Sequence, residues 1–582
     1  MASSWPTLTS SLLLLLISAG CVSAQHGGMN MGTEDPPMPA FNATGDEPMS
    51  YALFPENKGY FYTHVIFMVI AFWILMPLGV MFGIARSSLH VPTQILAFLV
   101  ALLGFFFGKM YGHSVPHMYK GNVHHSMGWW IFLLLIIQLG VGVVRKIANA
   151  VARSQQDYSR LSEESVHLVN RSSSASSSSS QHSEATLHNN HGDRGSFDEY
   201  GKEDEEIMSP VDLDEEDPLH MPEKPTLMSR LGNKVLSFTP AIVKKVFVTM
   251  AYNPFTKTVC RYWHTIVGRL FIILIFTQTL SGLVVYHGVC RSWSVLGCIA
   301  HLIKGGIFFW YGILTFSRYL GAFAEQGWAW NRVDGASKFS FEMIESSLIF
   351  GYGISNTWLE HLGQNPEWTH KDFEHASLAF MWWWCGLLGI LVESRALRRL
   401  LERVVSDTPL EMPRHEQVQS YSMNPFPALT VLFTGISMGN HHQETVYGTK
   451  VHYLWGLLLS LAAICRFVTY IMLFIQKPVN SLPSRPPSEA LGSFLLIAGS
   501  ILFMASNSGT MTWLRRNEVD SMFLMNVCVA LSAITLCYVA FFVIMKAWAS
   551  KREQLKKAKR MPFRAPHSVD EVRGRQYQLN DA

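Results

Sequence analysis

Long apolar runs recur along the chain and are separated by shorter polar stretches. Eleven of these runs stand out in a window of about 19 residues, close to the length that crosses a bilayer as a helix. They are Tyr60–Ile84, His90–Tyr111, Val123–Val144, Tyr262–Tyr286, Val295–Phe316, Phe341–Trp358, Glu374–Val392, Pro427–Asn440, Val451–Ile475, Ala490–Ala505 and Ser521–Trp548. Because main-chain groups exposed to lipid find no partner unless they are paired internally, each run should be helical. The pattern predicts an all-α integral membrane protein with about eleven transmembrane helices.

The distribution of Lys and Arg predicts the orientation of these helices. If the N-terminus lies outside, the odd-numbered helices end in the cytoplasm, where basic residues accumulate. The basic residues at those ends are Arg86, Arg145, Lys146, Arg318, Arg395, Arg398, Arg399, Arg403, Lys477, Lys551, Arg552, Lys556 and Lys557. We therefore expect an extracytoplasmic N-terminus and a basic cytoplasmic tail at residues 551–582.

The first 57 residues resemble a secretory leader followed by an exposed tail. Residues 1–24 contain a short apolar stretch and end in the small residues Val22-Ser23-Ala24, which is typical of a signal peptide; an uncleaved anchor is the alternative. Residues 25–57 hold the soft ligands His26, Met29 and Met31, which suit copper, although a plain flexible tail would also fit. Asn42 lies in an Asn-Ala-Thr motif and is a candidate for glycosylation. The leader points to the plasma membrane, the vacuole or the endoplasmic reticulum.

Residues 149–257 separate the first three predicted helices from the fourth. This stretch contains a serine run and an acidic run and has few apolar residues, so we expect a largely disordered cytoplasmic loop. It could be a spacer or a site of phosphorylation.

Composition narrows the function further. The chain is 49% hydrophobic and only 15% charged, and its net charge of +3 includes no basic cluster interleaved with aromatic residues. Nucleic acid is therefore not an expected partner, whereas the lipid bilayer is. The eight cysteines form no CxxC pair. Cys290 and Cys298 flank a loop that we place outside, where they could form a disulfide or remain free thiols.

Each of the first four predicted helices carries a histidine in its first turns. These are His64, His90, His124 and His264. Adjacent helices are antiparallel, so His64 and His124 should lie at one membrane face and His90 and His264 at the other. Two imidazoles can hold a haem iron from both sides, and two such haems would carry electrons across the membrane. Interfacial histidines without a ligand are the alternative.

Neighbouring residues fit the haem hypothesis. Gly128 and Gly268 follow His124 and His264 by one helical turn, which leaves room for a macrocycle or for close helix packing. Arg86, Lys109 and Arg269 are candidate partners of haem propionates. His125 competes with His124 as the ligand on the third helix.

Two family resemblances follow from these motifs. The runs His64-x6-Ala71-x-Trp73-Ile-Leu-x-Pro77-x-Gly79, then Arg86, His90-x3-Gln94 and His124-x3-Gly128 resemble the cytochrome b561 family, especially its DOMON-associated members. That resemblance covers residues 58–148 and 258–287 and implies a four-helix core with two b haems ligated by the four histidines. The whole arrangement also resembles the fungal Ytp-type membrane proteins.

Residues 288–550 form a predicted seven-helix domain with a second polar set. Imidazoles and carboxylates cluster near the outer ends of its helices, and they suit a transition metal or a proton-coupled pathway; a polar rim is the alternative. The candidate metal ligands are His361, His375, His441, His442 and His452. His301, Lys304, Glu342 and Glu345 lie within the helices.

The sequence thus favours a transmembrane electron carrier with b-type haem, which could act as a metal or ascorbate-type reductase with an unidentified donor and acceptor. The alternatives are a transporter or metal-homeostasis protein without haem, and a structural or sensor protein regulated through the serine-rich loop.

Overall fold

The computed structural model describes residue 35, residues 50–119, 121–146, 249, 253–291, 294–330, 339–359, 367–397, 400–401, 423–441, 443–476 and 484–560. These residues are almost entirely helical, with short turns between the helices. The helices are α1 Lys58–Ile84, α2 His90–Ser114, α3 Val123–Lys146, α4 Pro254–His287, α5 Val295–Tyr319, α6 Phe341–Leu359, α7 His370–Glu393, α8 Phe426–Gly439, α9 Val446–Ile475, α10 Pro487–Ala505, α11 Ser508–Arg516 and α12 Ser521–Arg560. The predicted all-α membrane fold is confirmed.

Each of the eleven predicted runs coincides with a helix. Within the described ranges, nine helices are long and apolar enough to cross a membrane, namely α1 to α5, α7, α9, α10 and α12. Helix α6 holds two buried glutamates and α8 has only 14 residues, so neither belongs to that set. The short amphipathic helix α11 was not predicted, because nine residues with two arginines leave no apolar run.

The chain divides into two compact units, one made of residues 1–128 and 272–582 and the other of residues 129–271. In the first unit, α9 and α10 form the centre of the apolar core. Trp455, Leu459, Ile497 and Leu502 are fully buried there. Small residues allow α9 to approach its neighbours closely, such as Gly456 against the main chain of Gly435 in α8 and Gly499 of α10 against the carbonyl of Trp455 in α9.

Helix α1 contains a π-helical segment, Ile70–Leu75, followed by Pro77. Pro77 has no N–H, so the carbonyl of Trp73 one turn earlier lacks its helical donor. The hydroxyl of Tyr538 in α12 donates to this carbonyl at 2.6 Å. The first and last helices of the described chain are therefore joined at the point where α1 is weakest.

The loop between α4 and α5 is closed by a disulfide between Cys290 and Cys298. Of the two alternatives that the sequence left open there, the structure has the bonded one. The hydroxyl of Tyr119 donates to the carbonyls of Val289 and Cys290, and the guanidinium of Arg291 lies 4.1 Å from the centre of the Tyr119 ring. These contacts fix the loop against the segment that joins α2 to α3.

Candidate functional site

The four predicted histidines are each held against a neighbouring helix through ring nitrogen Nδ1. His64 Nδ1 lies 2.8 Å from the carbonyl oxygen of Gly104, and His90 Nδ1 lies 2.7 Å from that of Gly79. His124 Nδ1 lies 3.1 Å from the carbonyl oxygen of Gln278. A carbonyl oxygen can only accept, so in these three rings Nδ1 carries a proton, and in the neutral form of the ring Nε2 carries the lone pair.

His264 is anchored differently. The side-chain nitrogen of Gln138 lies 3.1 Å from His264 Nδ1 and also donates to the main-chain carbonyl of His264 at 2.9 Å. The corresponding glutamine of α4, Gln278, donates in the same way to the carbonyl of His124 at 2.9 Å. Helices α3 and α4 therefore repeat one arrangement, but an amide nitrogen rather than a carbonyl contacts the ring of His264.

A glycine of the neighbouring helix accommodates each imidazole ring. A Cβ built on Gly108 would lie 2.6 Å from His64, and one on Gly83 would lie 2.9 Å from His90. The corresponding glycines are Gly282, 2.9 Å from His124, and Gly142, 3.5 Å from His264. Each ring lies against bare backbone in a space that a larger residue would partly fill.

The spacing of these residues forms an internal repeat that the sequence analysis missed. His90, His124 and His264 are each followed eighteen residues later by a glycine, respectively Gly108, Gly142 and Gly282. Eighteen residues make about five turns, so histidine and glycine lie on one face of their helix. In α1 the glycine follows His64 by nineteen residues, and the π-helical segment between them accommodates the extra residue.

Gly128 and Gly268 do not face the histidine rings. A Cβ on Gly128 would meet the side-chain nitrogen of Gln278 at 3.2 Å, and one on Gly268 would meet that of Gln138 at 3.0 Å. Of the two roles that the sequence left open for these glycines, close helix packing is the one observed. The space beside them is taken by the glutamine amides.

His64 and His124 belong to the same unit and lie close enough for the charge on one ring to act on the other. His125 is exposed, whereas His124 is packed against α4, so His124 is the residue of this pair that faces the helices. Lys109 lies within electrostatic range of His125. Arg86 and Arg269 are exposed, and Arg86 has a left-handed backbone at the end of α1.

The second polar set is brought together only in part. The rings of His375 and His441 lie 5.2 Å apart, and a carboxylate oxygen of Glu374 lies 2.8 Å from His441 Nδ1. The rings of His301 and His452 lie 6.2 Å apart. Within the part of the chain that the structure describes, no three His, Cys, Asp or Glu side chains are placed to hold one metal ion.

Several sequence predictions fall outside the described residues. These are the signal peptide, the copper tail with His26, Met29 and Met31, the glycosylation site Asn42, most of the serine-rich loop, and the candidate ligands His361 and His442. They stay predictions.

Five buried charged residues form a group that was not predicted from the sequence, and we call it the charge cluster: Arg318, Glu342, Glu345, Arg466 and Glu489. Arg318 Nη2 lies 3.1 Å from Glu342 Oε1, and Arg466 Nε lies 2.7 Å from Glu489 Oε1. Arg318 was expected to be a cytoplasmic helix-end charge, but it is 3% exposed. Arg466 and Glu489 were not singled out, because each is a single charge in or beside an apolar run.

Two regions of the chain match known protein families. Residues 274–547 match the family described as "Protein YTP1-like, C-terminal", and residues 45–148 match a domain of unknown function, DUF2427. No solved structure matches. These matches do not concern cytochromes, so the resemblance to cytochrome b561 stays a prediction.

Three relatives extend this result. An uncharacterized membrane protein of Schizosaccharomyces pombe is 37% identical over 537 residues, which cover 88% of this chain and 99% of the relative. An uncharacterized membrane protein of Saccharomyces cerevisiae is 34% identical over 316 residues, covering 50% of this chain and 48% of its own. Protein YTP1 of the same yeast is 25% identical over 246 residues, covering 42% of this chain and 46% of its own. The chain therefore belongs to the YTP1-like family of multi-spanning membrane proteins.

Proposed function

We propose that the chain is a transmembrane electron carrier that binds b-type haem through His64 and His124, with His90 and His264 as the ligands that the sequence predicts for a second haem. The observation that carries this proposal is the anchoring of the imidazoles through Nδ1. A histidine that ligates a metal through Nε2 usually donates its other ring N–H to a carbonyl or carboxylate, which fixes both tautomer and ring orientation. His64, His90 and His124 have this arrangement.

The glycine repeat supports the same reading. An interfacial histidine without a ligand needs only access to the polar headgroup region for its ring, and it does not require a glycine on the neighbouring helix. Here a glycine contacts the ring at all four positions, and α1 keeps that contact despite an additional residue. Four rings that each face a glycine of a neighbouring helix favour a shared task over four independent surface contacts.

Bound haem would supply reversible one-electron transfer, and two histidine ligands leave no open position for oxygen. The protein would hold the iron from two helices, fix the ring planes through the carbonyl anchors and exclude water with the surrounding apolar side chains. Lys109, Arg86 and Arg269 remain candidate partners for the propionates, and the electron donor and acceptor are unassigned.

The test is a reduced-minus-oxidised absorption spectrum of the purified full-length protein, followed by single histidine substitutions. His64→Ala and His124→Ala should each remove about half of the b-type absorbance, because one haem of two loses an axial ligand. His90→Ala and His264→Ala should remove the other half.

His125→Ala is the matched control, since His125 is adjacent in sequence but exposed. Its spectrum should equal that of the unmodified protein. A protein purified from cells with ample haem that shows no b-type spectrum would contradict the proposal, and the transporter or metal-homeostasis alternative would then lead.

A further inference from the structure

The charge cluster contains more negative than positive groups. Two guanidiniums, Arg318 and Arg466, face three carboxyl groups, Glu342, Glu345 and Glu489. All five side chains are at most 7% exposed. If every group were ionised, the cluster would hold one net negative charge among apolar helices, which is strongly unfavourable.

Among the described residues that contact the cluster, none adds a positive charge that would offset this excess. Helix α5 contributes Tyr311 and Thr315, and α9 contributes Tyr470, all of which are neutral when protonated. The part of α8 that lines the same space contributes Ala428 and Val431. The ring of Trp330 lies 4.4 Å from the guanidinium carbon of Arg318 and 5.2 Å from that of Arg466.

The three carboxyl groups differ in how well their charge is compensated. Glu342 pairs with Arg318, and Glu489 lies closest to Arg466; both are in the first turn of a helix, where the helix dipole favours an anion. Glu345 lies one turn further into α6 and reaches Arg466 Nη1 only at 3.4 Å. Its Oε1 accepts a hydrogen bond from Tyr311 at 2.7 Å, but its buried Oε2 has no hydrogen-bond partner.

A small cavity adjoins the cluster. Its volume of about 20 Å³ suits one water molecule, and it is lined by Tyr311, Thr315, Arg466 and Glu489 among apolar residues. The Arg466 Nε–H and Glu489 Oε1 are close but not aligned for a hydrogen bond, so both atoms can turn to a water. A water here would touch groups from α5, α9 and α10.

We propose that the charge cluster is a binding site for one exchangeable proton, carried by the carboxyl group of Glu345 and exchanged with water in the adjoining cavity through Tyr311, which contacts Glu345 and lines that cavity. Binding converts the carboxylate and a proton into a neutral carboxyl group, and no electron is transferred. The protonated cluster holds two positive and two negative charges and is balanced. This inference is independent of haem, and it assigns the C-terminal helices the capacity for a proton-coupled step.

Infrared spectroscopy of the full-length protein in detergent tests the proposal directly. The unmodified protein at neutral pH should show one carbonyl stretch of a protonated carboxyl group in a low-polarity environment. The band should shift in deuterated water without unfolding, because the cavity water exchanges the proton. Glu345→Gln should abolish the band.

Charge balance supplies further variants. Glu342→Gln leaves two guanidiniums and two carboxyl groups, so Glu345 should ionise and the band should disappear. Arg466→Lys keeps the charge count and should keep the band. Glu553→Gln, which removes a carboxyl group on α12 that accepts hydrogen bonds from Ser87 and Lys556, should also keep it.

Three results would overturn the proposal. The unmodified protein could lack the band, the band could persist in Glu345→Gln, or it could persist in Glu342→Gln. The first of these results is obtained with the unmodified protein. The proposal can therefore be contradicted even if a variant fails to fold.

Discussion

Two regions of this protein place polar groups among apolar helices in different ways. In α1 to α4, imidazoles are held one at a time by a main-chain carbonyl or an amide and a glycine of the neighbouring helix. In α5 to α10, charged side chains from four helices hold one another. A neutral imidazole that donates from Nδ1 keeps Nε2 as an acceptor for a ligand, whereas a buried charge needs a countercharge and further hydrogen bonds. The first arrangement suits a ligand that is added later, and the second suits a site that is already assembled.

The largest effect should come from removing a countercharge. Arg466→Ala leaves Glu345 and Glu489 without their guanidinium, and we expect it to lower the free energy of unfolding by about 3–5 kcal/mol. Thermal unfolding in detergent measures the loss. Arg515→Ala is the control, since Arg515 is more accessible and lies 3.8 Å from Asp35, which predicts a loss below about 1 kcal/mol. Equal losses of unfolding free energy in the two variants would contradict the claim that the buried charges of the cluster depend on their countercharges.

A glycine pair in α6 tests how tightly the C-terminal helices pack. A Cβ on Gly353 would collide with the main chain of Trp383 in α7, whereas one on Gly351 would meet nothing within 4 Å. Gly353→Ala should therefore destabilise the protein by about 1–3 kcal/mol. Gly351→Ala should be neutral or stabilising by up to about 1 kcal/mol, because alanine favours helix. Urea or thermal unfolding distinguishes them, and similar behaviour would contradict the packing.

The corresponding pair in the histidine-bearing helices lies one turn apart in α2. Gly108→Ala presses on the ring of His64, while a Cβ on Gly112 has open space. If the histidines hold haem, Gly108→Ala should weaken binding at this pair by about 10–100-fold, as expected when a ligand loses its orientation. A haem titration of the protein measures this change. Gly112→Ala should match the unmodified protein, and a weakening there instead would contradict the assigned contact.

The smallest effect concerns Asp35, whose carboxylate accepts hydrogen bonds from the main-chain N–H groups of Val446 and Tyr447 at the start of α9. Partial burial acts to raise the pKa of Asp35, but these donors with Arg515 and Lys450 outweigh it and hold the pKa below its ordinary value. A lowered pKa stabilises the fold above the ordinary value, and this contribution is lost as pH falls through the folded-state pKa.

Asp35→Asn should therefore cost about 0.5–1 kcal/mol at neutral pH, and the cost should vanish once the pH falls below the folded-state pKa of Asp35. Unfolding curves of the two proteins across that range measure the difference. A stability difference between the two proteins that increases toward acid pH would contradict the lowered pKa of Asp35.

The apolar pattern was sufficient to predict the helices, because membrane length and main-chain pairing leave few alternatives. Each predicted run begins and ends within a few residues of a helix, apart from longer extensions such as the start of α4 and the end of α12. The histidines could also be found, because one falls in the first turns of each of four successive apolar runs. The glycines that face them could be predicted from the spacing of eighteen residues between a histidine and a glycine on the same helix. In α1 this spacing is nineteen, so the fourth pair is harder to recognise.

The charge cluster could not be predicted from the sequence. Arg318 lies at the end of an apolar run and looks like any cytoplasmic anchor, and Glu489 lies just before another run. Only the packing of α5 against α10 and of α9 against α10 places these residues next to Arg466. A single sequence gives the positions of charges along each helix but not which helices are neighbours.

The π-helical segment of α1 allows this helix to contain one additional residue without rotating the residues that follow it. One additional residue in a regular helix turns everything beyond it by about 100°, which would carry Gly83 away from His90. The π-helical segment takes up that rotation within Ile70–Leu75, so both ends of α1 keep their alignment with α2. A variant lacking one residue of this segment should form an ordinary α-helix there with the same histidine contacts. Helix α1 therefore tolerates a change of length that α2, α3 and α4, with their regular spacing, would convert into a loss of register.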